Sequence, residues 1–410
     1  MEEAAPTTLG IYISIPFCRA KCSYCNFASG VFGEGRLARY VGRLVEEIHS
    51  ARTQAASWQV DLPDRVDTVY FGGGTPSLLQ PEQLTKIMQA LRGQFDLAPG
   101  AEITLECAPG QLSDALLEAL SQLGVNRTSL GVQSFVDAEA AAVGRLHTQA
   151  QVLAEIARLR SIGIENINVD LLAGLPHQTE ASWKISLDQA IASGVPHVSV
   201  YMLEVDEGSR LGRELLSGGQ RYHARTVPGD AEIAGMYLAA CERLADAGIA
   251  QYEISNFART GQGSRHNNKY WLRQPYLGLG MDAHSMLPGK DGQPRRVAMT
   301  DDLGAFLEQS APPEVIVVDR TAAMEEAWFL GLRRNAGVQL AALDEEFGEA
   351  TVDAYQPALA ECAEDGLLEL GNSTAHLTAQ GRLFSNEVFE KFLGVADATV
   401  STTRQQGALA

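Results

Sequence analysis

Cysteine is scarce in this 410-residue chain: there are six, far too few to staple a disulfide scaffold. Basic residues are also few, 32 Lys and Arg against 51 Asp and Glu, which leaves a formal charge of −19. A field of that sign repels phosphate backbones and anionic lipid, so nucleic acid is not an expected partner. No run reaches the roughly 18 consecutive apolar residues of a membrane span, and no integral membrane segment is expected. The start, Met1-Glu2-Glu3-Ala4-Ala5-Pro6, lacks the basic and apolar stretches of a secretory leader, and the chain is expected to be cytoplasmic. Internal repeats are lacking too. With 45% hydrophobic and 20% charged residues the composition is that of an ordinary globular protein, long enough for two or three domains.

What is present is an alternation of β-rich and helical patterns. Residues 11–15, 66–71, 102–106, 128–132, 167–172 and 198–203 are short β-rich runs. Between them apolar residues recur at helical spacing, as in Leu112, Leu116, Leu117 and Leu120 before Gly124. Such alternation predicts an α/β fold with a parallel sheet, and periodicity does not decide between a full barrel, a partial one and an open sheet. The pattern breaks between residues 205 and 230, and a turn-rich region follows to about residue 313. Residues from 321 read as helices with a strand–turn–strand at 366–378 and a closing helix to Leu393, a winged-helix-like module. The expected units are 1–215, 216–320 as an accessory lobe, 321–395, and a disordered tail 396–410.

Three of the six cysteines fall within eight positions, Cys18-x3-Cys22-x2-Cys25, directly after the first strand. Loops at the carboxyl end of a parallel sheet are where such folds present sites. Three thiolates suit a [4Fe–4S] cluster with one iron left to an exogenous ligand, whereas structural zinc prefers four ligands. The open iron can take the amino and carboxylate groups of S-adenosylmethionine (SAM), whose sulfonium bond one electron then breaks to give a 5′-deoxyadenosyl radical. Three unrelated thiols, or zinc completed by a distant His or Cys, are the alternatives. The second strand ends in Gly72-Gly73-Gly74-Thr75-Pro76, where glycines let backbone approach a ligand closely.

Together with Tyr12, Ile15-Pro16-Phe17, Gly131-Val132-Gln133-Ser134-Phe135 and residues 168–176 (NVDLLAGLP), these motifs resemble the coproporphyrinogen III dehydrogenase branch of the radical-SAM superfamily along nearly the whole chain. The resemblance implies a partial (β/α)6 barrel followed by an accessory C-terminal domain. It implies cluster ligation by Cys18, Cys22 and Cys25, and SAM contacts at Tyr12, Tyr24, Gly73, Gly74, Thr75, Glu106, Gln133, Arg145 and Asp170. Arg145 suits a carboxylate, Glu106 an amino group and Asp170 ribose hydroxyls. Taken singly, Gln133 and Asp170 could equally cap neighbouring helices.

Within that branch the dehydrogenases have a fourth cysteine two residues after the third and a long N-terminal extension. Here the fourth position is Phe27, and seventeen residues precede Cys18. In contrast His266-Asn267-Asn268-Lys269-Tyr270-Trp271 matches the HNxxYW signature of the HemW-type haem chaperones, which implies haem as a third cofactor and haem-accepting proteins, respiratory ones among them, as partners. His266 is the expected haem ligand, on a loop or short helix outside the barrel, with Tyr270 and Trp271 against the porphyrin. Gly278-Leu279-Gly280-Met281-Asp282-Ala283-His284-Ser285 resembles the branch's GLGxxAHS stretch with Met281-Asp282 in place of Pro-Gly. The leading expectation is a haem chaperone. Porphyrinogen decarboxylation is the alternative, and a protein whose cluster is structural or transfers electrons is a third.

Overall fold

The computed structural model describes residues 7–371 and 373–395, so the tail expected at 396–410 lies outside the described residues. Six strands run parallel in sequence order: β1 (Leu9–Ile15), β2 (Arg65–Gly73), β3 (Asp96–Cys107), β4 (Arg127–Gln133), β5 (Asn166–Ala173) and β6 (His197–Met202). They match the six β-rich runs. Helices such as Glu34–Ser57, Pro81–Gln94, Gln149–Ser161 and Glu180–Ala192 connect them, the crossover that parallel pairing requires.

Each strand divides its side chains by period two. In β5, Ile167, Val169, Leu171 and Ala173 pack outward into the core beneath the helices. Asn168, Asp170 and Leu172 face a cavity enclosed by the sheet. β4 does the same with Arg127, Ser129, Gly131 and Gln133. The lumen is therefore polar and the hydrophobic core lies outside the sheet.

The segment expected as an accessory lobe instead extends both edges of this one sheet. β7 (Ala250–Glu253) and β8 (Asn256–Ala258) join beyond β6, antiparallel to it. β9 (Tyr276–Leu279) pairs parallel with β1 and is followed outward by β10 (His284–Leu287), β11 (Arg295–Ala298) and β12 (Glu314–Val317). The resulting twelve-stranded sheet is open, with β12 and β7 at its edges. Residues 250–254 read as strand-like in the sequence and form β7, whereas the turn-rich composition hid the other five strands because each has only three or four residues. Asp282, where the related stretch has glycine, takes φ +58°, so the turn keeps the left-handed geometry that glycine favours.

The C-terminal module has a core of its own around Trp328, which packs 5.5 Å from Tyr355 and 5.0 Å from Phe392 between ring centres. Its small sheet has the order β13 (Val338–Gln339), β15 (Thr374–Leu377), β14 (Leu368–Leu370), flanked by helices Arg320–Arg333, Leu340–Phe347 and Gln356–Glu364. The single closing helix expected to Leu393 is two, Ala379–Leu383 and Ser385–Glu390. Three arginines here are occupied internally: Arg295 bonds Asp291, Arg296 bonds Glu326, and Arg333 bonds Glu253.

The short helix Arg265–Trp271 closes the amino-terminal end of the barrel. Glu102 on β3 accepts the backbone N–H groups of Arg265 and His266 at 3.0 Å each, capping the helix with a carboxylate. The buried Lys269 ammonium lies 2.8 Å from Asp67 and donates to Thr8 Oγ1 at 3.1 Å. Gly10 on β1 makes room for it, since a Cβ there would stand 2.7 Å from Lys269 Cδ. Removing one partner of a buried ion pair strands the other. Lys269→Ala is therefore expected to lower stability by about 3 kcal/mol, and Lys269→Met, which strands Asp67 equally but keeps the packing of the stem, by somewhat less, measured by urea unfolding.

Candidate functional site

The three-cysteine loop is fixed to the ends of β1 and β2 by backbone bonds. Gly74 N–H donates to Ile15 O at 3.0 Å, Thr75 N–H to Phe17 O at 2.8 Å, and Cys18 N–H to Gly30 O at 2.8 Å. The glycines are needed here: Gly73 sits at φ +99°, and a Cβ on Gly74 would fall 2.8 Å from the carbonyls of Ile15 and Phe17. Thr75 Oγ1 lies 3.6 Å from Cys18 Sγ, and Arg145 donates to Cys22 Sγ at 3.5 Å and to Gly131 O. All three thiols are free and line one cavity of about 440 Å3. Among the described residues no three His, Cys, Asp or Glu side chains converge on a single-ion position.

Tyr24, Gly73, Gly74, Thr75, Glu106, Gln133, Arg145 and Asp170 line the same cavity. Tyr12 stands behind them, stacked on Tyr70 with ring centres 6.1 Å apart. Gln133 stands where the register shifts after Gly131 and takes φ +69°, an uncommon conformation of the kind held at functional sites. Glu106 accepts the Tyr70 hydroxyl at 2.8 Å, and burial pushes its carboxyl up to about 7. Burial also raises Asp170, against hydrogen bonds from Ser199, Ser129 and Asn168 that oppose it.

Below the cysteines runs a hydrogen-bonded ladder that joins the motif residues Asn168 and Asp170 to Ser129, Ser199, His197 and Asn256, which motif reading did not include. Asn168 Nδ2 lies 2.7 Å from both Ser129 Oγ and Asp170 Oδ1, Ser199 Oγ donates to Asn256 Oδ1 at 2.9 Å, and His197 Nδ1 lies 2.6 Å from Asn168 Oδ1. The signal was available as polar residues at every second position of β4 and β5, Arg127, Ser129, Asn168 and Asp170, in strands otherwise apolar.

His266 is 1% exposed, on a short helix as expected, but against the barrel's floor and not outside it. Its ring stacks 5.3 Å from Tyr70; Nδ1 lies 2.8 Å from Thr68 Oγ1 and Nε2 2.8 Å from the Tyr270 hydroxyl. Burial holds the imidazole down at about 3, so it is neutral at pH 7, the form a haem iron requires. Both nitrogens are engaged, however, and Trp271 is covered by the Arg333 guanidinium 4.4 Å from its ring centre. Ligation of haem by His266 thus requires Tyr270 to release Nε2. His284 is exposed on β10 and absent from the cavity wall. His147 bonds Val132 O at 3.1 Å, and His177 faces His223 at the surface. Cys107 and Cys362 are buried and Cys241 is half-buried.

Residues 12–190 match the radical SAM superfamily and residues 318–384 the HemN C-terminal domain. Heme chaperone HemW of Bacillus subtilis is 36% identical over 392 residues, 93% of this chain and 98% of that protein. HemW of Synechocystis is 38% identical over 343 residues, 81% of this chain and 79% of that protein. The chain belongs to the HemW family of the radical SAM superfamily. The solved structure of coproporphyrinogen III oxidase (HemN) from Escherichia coli has the same fold, with a TM-score of 0.79 at 23% identity over 94% of this chain and 90% of that one. Membership of the superfamily implies a [4Fe–4S] cluster and SAM. The free thiol triplet, the glycine-lined wall and the polar lumen fit both. Cys18, Cys22 and Cys25 would hold such a cluster, which would be able to supply one electron to SAM. The HemW-family lumen contributes Arg145 beside Cys22 and the Glu106 and Asp170 carboxylates further in.

As the expected partner of the SAM amino group, Glu106 with its raised carboxyl predicts a pH dependence of SAM binding. Its pKa of about 7 exceeds the ordinary 4.5, so the group is neutral below pH 7 and charged above it. SAM affinity is expected to fall several-fold between pH 8 and pH 6, and Glu106→Gln to flatten that profile at the weaker level, measured by equilibrium dialysis.

Proposed function

We propose that this protein is a haem chaperone: it binds haem, carries a [4Fe–4S] cluster on Cys18, Cys22 and Cys25, binds SAM in the cavity beneath them, and passes haem to acceptor proteins. The observation that carries this reading is the near full-length likeness to proteins named heme chaperone HemW. Phe27 supports it. Where the porphyrinogen dehydrogenases have a fourth cysteine, this phenyl ring stands 66% exposed at the mouth of the cavity. His266 is our candidate haem ligand, neutral as ligation demands and released when Tyr270 swings away.

The deciding experiment is anaerobic cluster reconstitution followed by haem titration with and without SAM. Stoichiometric haem uptake without product from coproporphyrinogen is expected, and protoporphyrinogen formation with SAM consumption would overturn the proposal. His266→Ala is expected to abolish haem uptake and leave the cluster absorbance unchanged. Tyr270→Phe, which frees Nε2 while keeping the ring, is expected to retain uptake. Unaltered uptake in His266→Ala removes His266 as the ligand.

A further inference from the structure

We propose that Arg127, at the floor of the barrel lumen, anchors the carboxylate of a second ligand lying below the SAM position. Arg127 begins β4 and Gln133 ends it, six residues or about 20 Å apart along the strand. The residues carried over as SAM contacts occupy the upper end, beside the cysteines, and Arg127 is not among them.

Arg127 is 2% exposed and lines the cavity. Among the described residues its side chain has no ion pair and no hydrogen bond, and its Nε is a buried donor without an acceptor. A buried guanidinium left unpaired is costly, and a ligand that paired with it would remove that cost. One further group beside it has spare capacity. Thr104 is its register partner on β3 and has a buried hydroxyl with no partner. Asn267, from the helix that closes the floor, also lines the cavity.

The charge balance selects the ligand class. Glu106 and Asp170, on the strands either side of β4, feel the charge of Arg127 without bonding it. One cation against two carboxyls favours a monoanion over a dianionic phosphate, and the guanidinium fork matches a carboxylate in bidentate geometry. The carboxylate can come from a free short-chain acid or from a haem propionate. The second source rests on the haem reading above, and the first is independent of it.

Thermal unfolding of the full-length, cluster-loaded protein tests the site, with sodium propionate as probe against sodium chloride at equal ionic strength. Propionate is expected to raise Tm by about 2 °C or more in the parent. Arg127→Met is expected to abolish that shift, and Arg127→Lys, which keeps the charge and loses the fork, to retain less than half of it. The lysine variant decides the matter where the methionine variant fails to fold. Haem and haem dimethyl ester, titrated against the same variants, identify the source. Arg127-dependent binding of haem but not of the ester assigns the site to a propionate. Equal binding of haem and ester, with the propionate shift still dependent on Arg127, assigns it to a free acid and leaves the haem reading standing. Absence of haem binding by the parent sinks the haem reading alone. A Tm response to propionate that is missing, or unchanged in both variants, overturns the proposal.

Discussion

A parallel barrel whose lumen holds carboxyls, amides and a guanidinium must be closed at one end, or water would screen everything inside it. The helix Arg265–Trp271 supplies that closure. It is held by Glu102 at its N-terminus, by Lys269 against Asp67, and by His266 between Thr68 and Tyr270. The raised Glu106 and the lowered His266 follow from the same burial. The motif that marks the family in sequence is therefore, in the fold, the floor of its lumen.

The opposite end is left to chemistry. Strand carboxyl termini carry the thiols, the glycine wall and Arg145, and the loops there are tied by backbone bonds that leave the cysteine sulfurs free. The same floor helix also joins the barrel to the C-terminal module. Trp271 is stacked by Arg333, Arg273 pairs with Glu346, and Ile254 N–H donates to Arg333 O at 3.1 Å. A movement of Tyr270 that exposed His266 would be felt through Trp271 at this junction.

Much of this was legible in the sequence. Cys18, Cys22 and Cys25, the glycine run at 72–74 and the six β-rich runs give cofactor class and fold class, because metal spacing and strand period are local properties. Of the edge strands only β7 was legible, as the strand-like residues 250–254; those at 256–258 and 276–317 were not. Three- and four-residue strands have too little periodicity, and their place at the two sheet edges depends on neighbours far along the chain.

The sequence by itself determined the alternating fold, the iron–sulfur triplet and the kinship carried by residues 266–271. Only the tertiary structure decided that His266 is a buried, doubly bonded floor residue, and that Arg127 stands unpaired 2% exposed beneath the cysteines. The reason is physical. Which hydrogen bonds a polar side chain makes, and whether water reaches it, are set by strands and helices that the chain brings together only on folding.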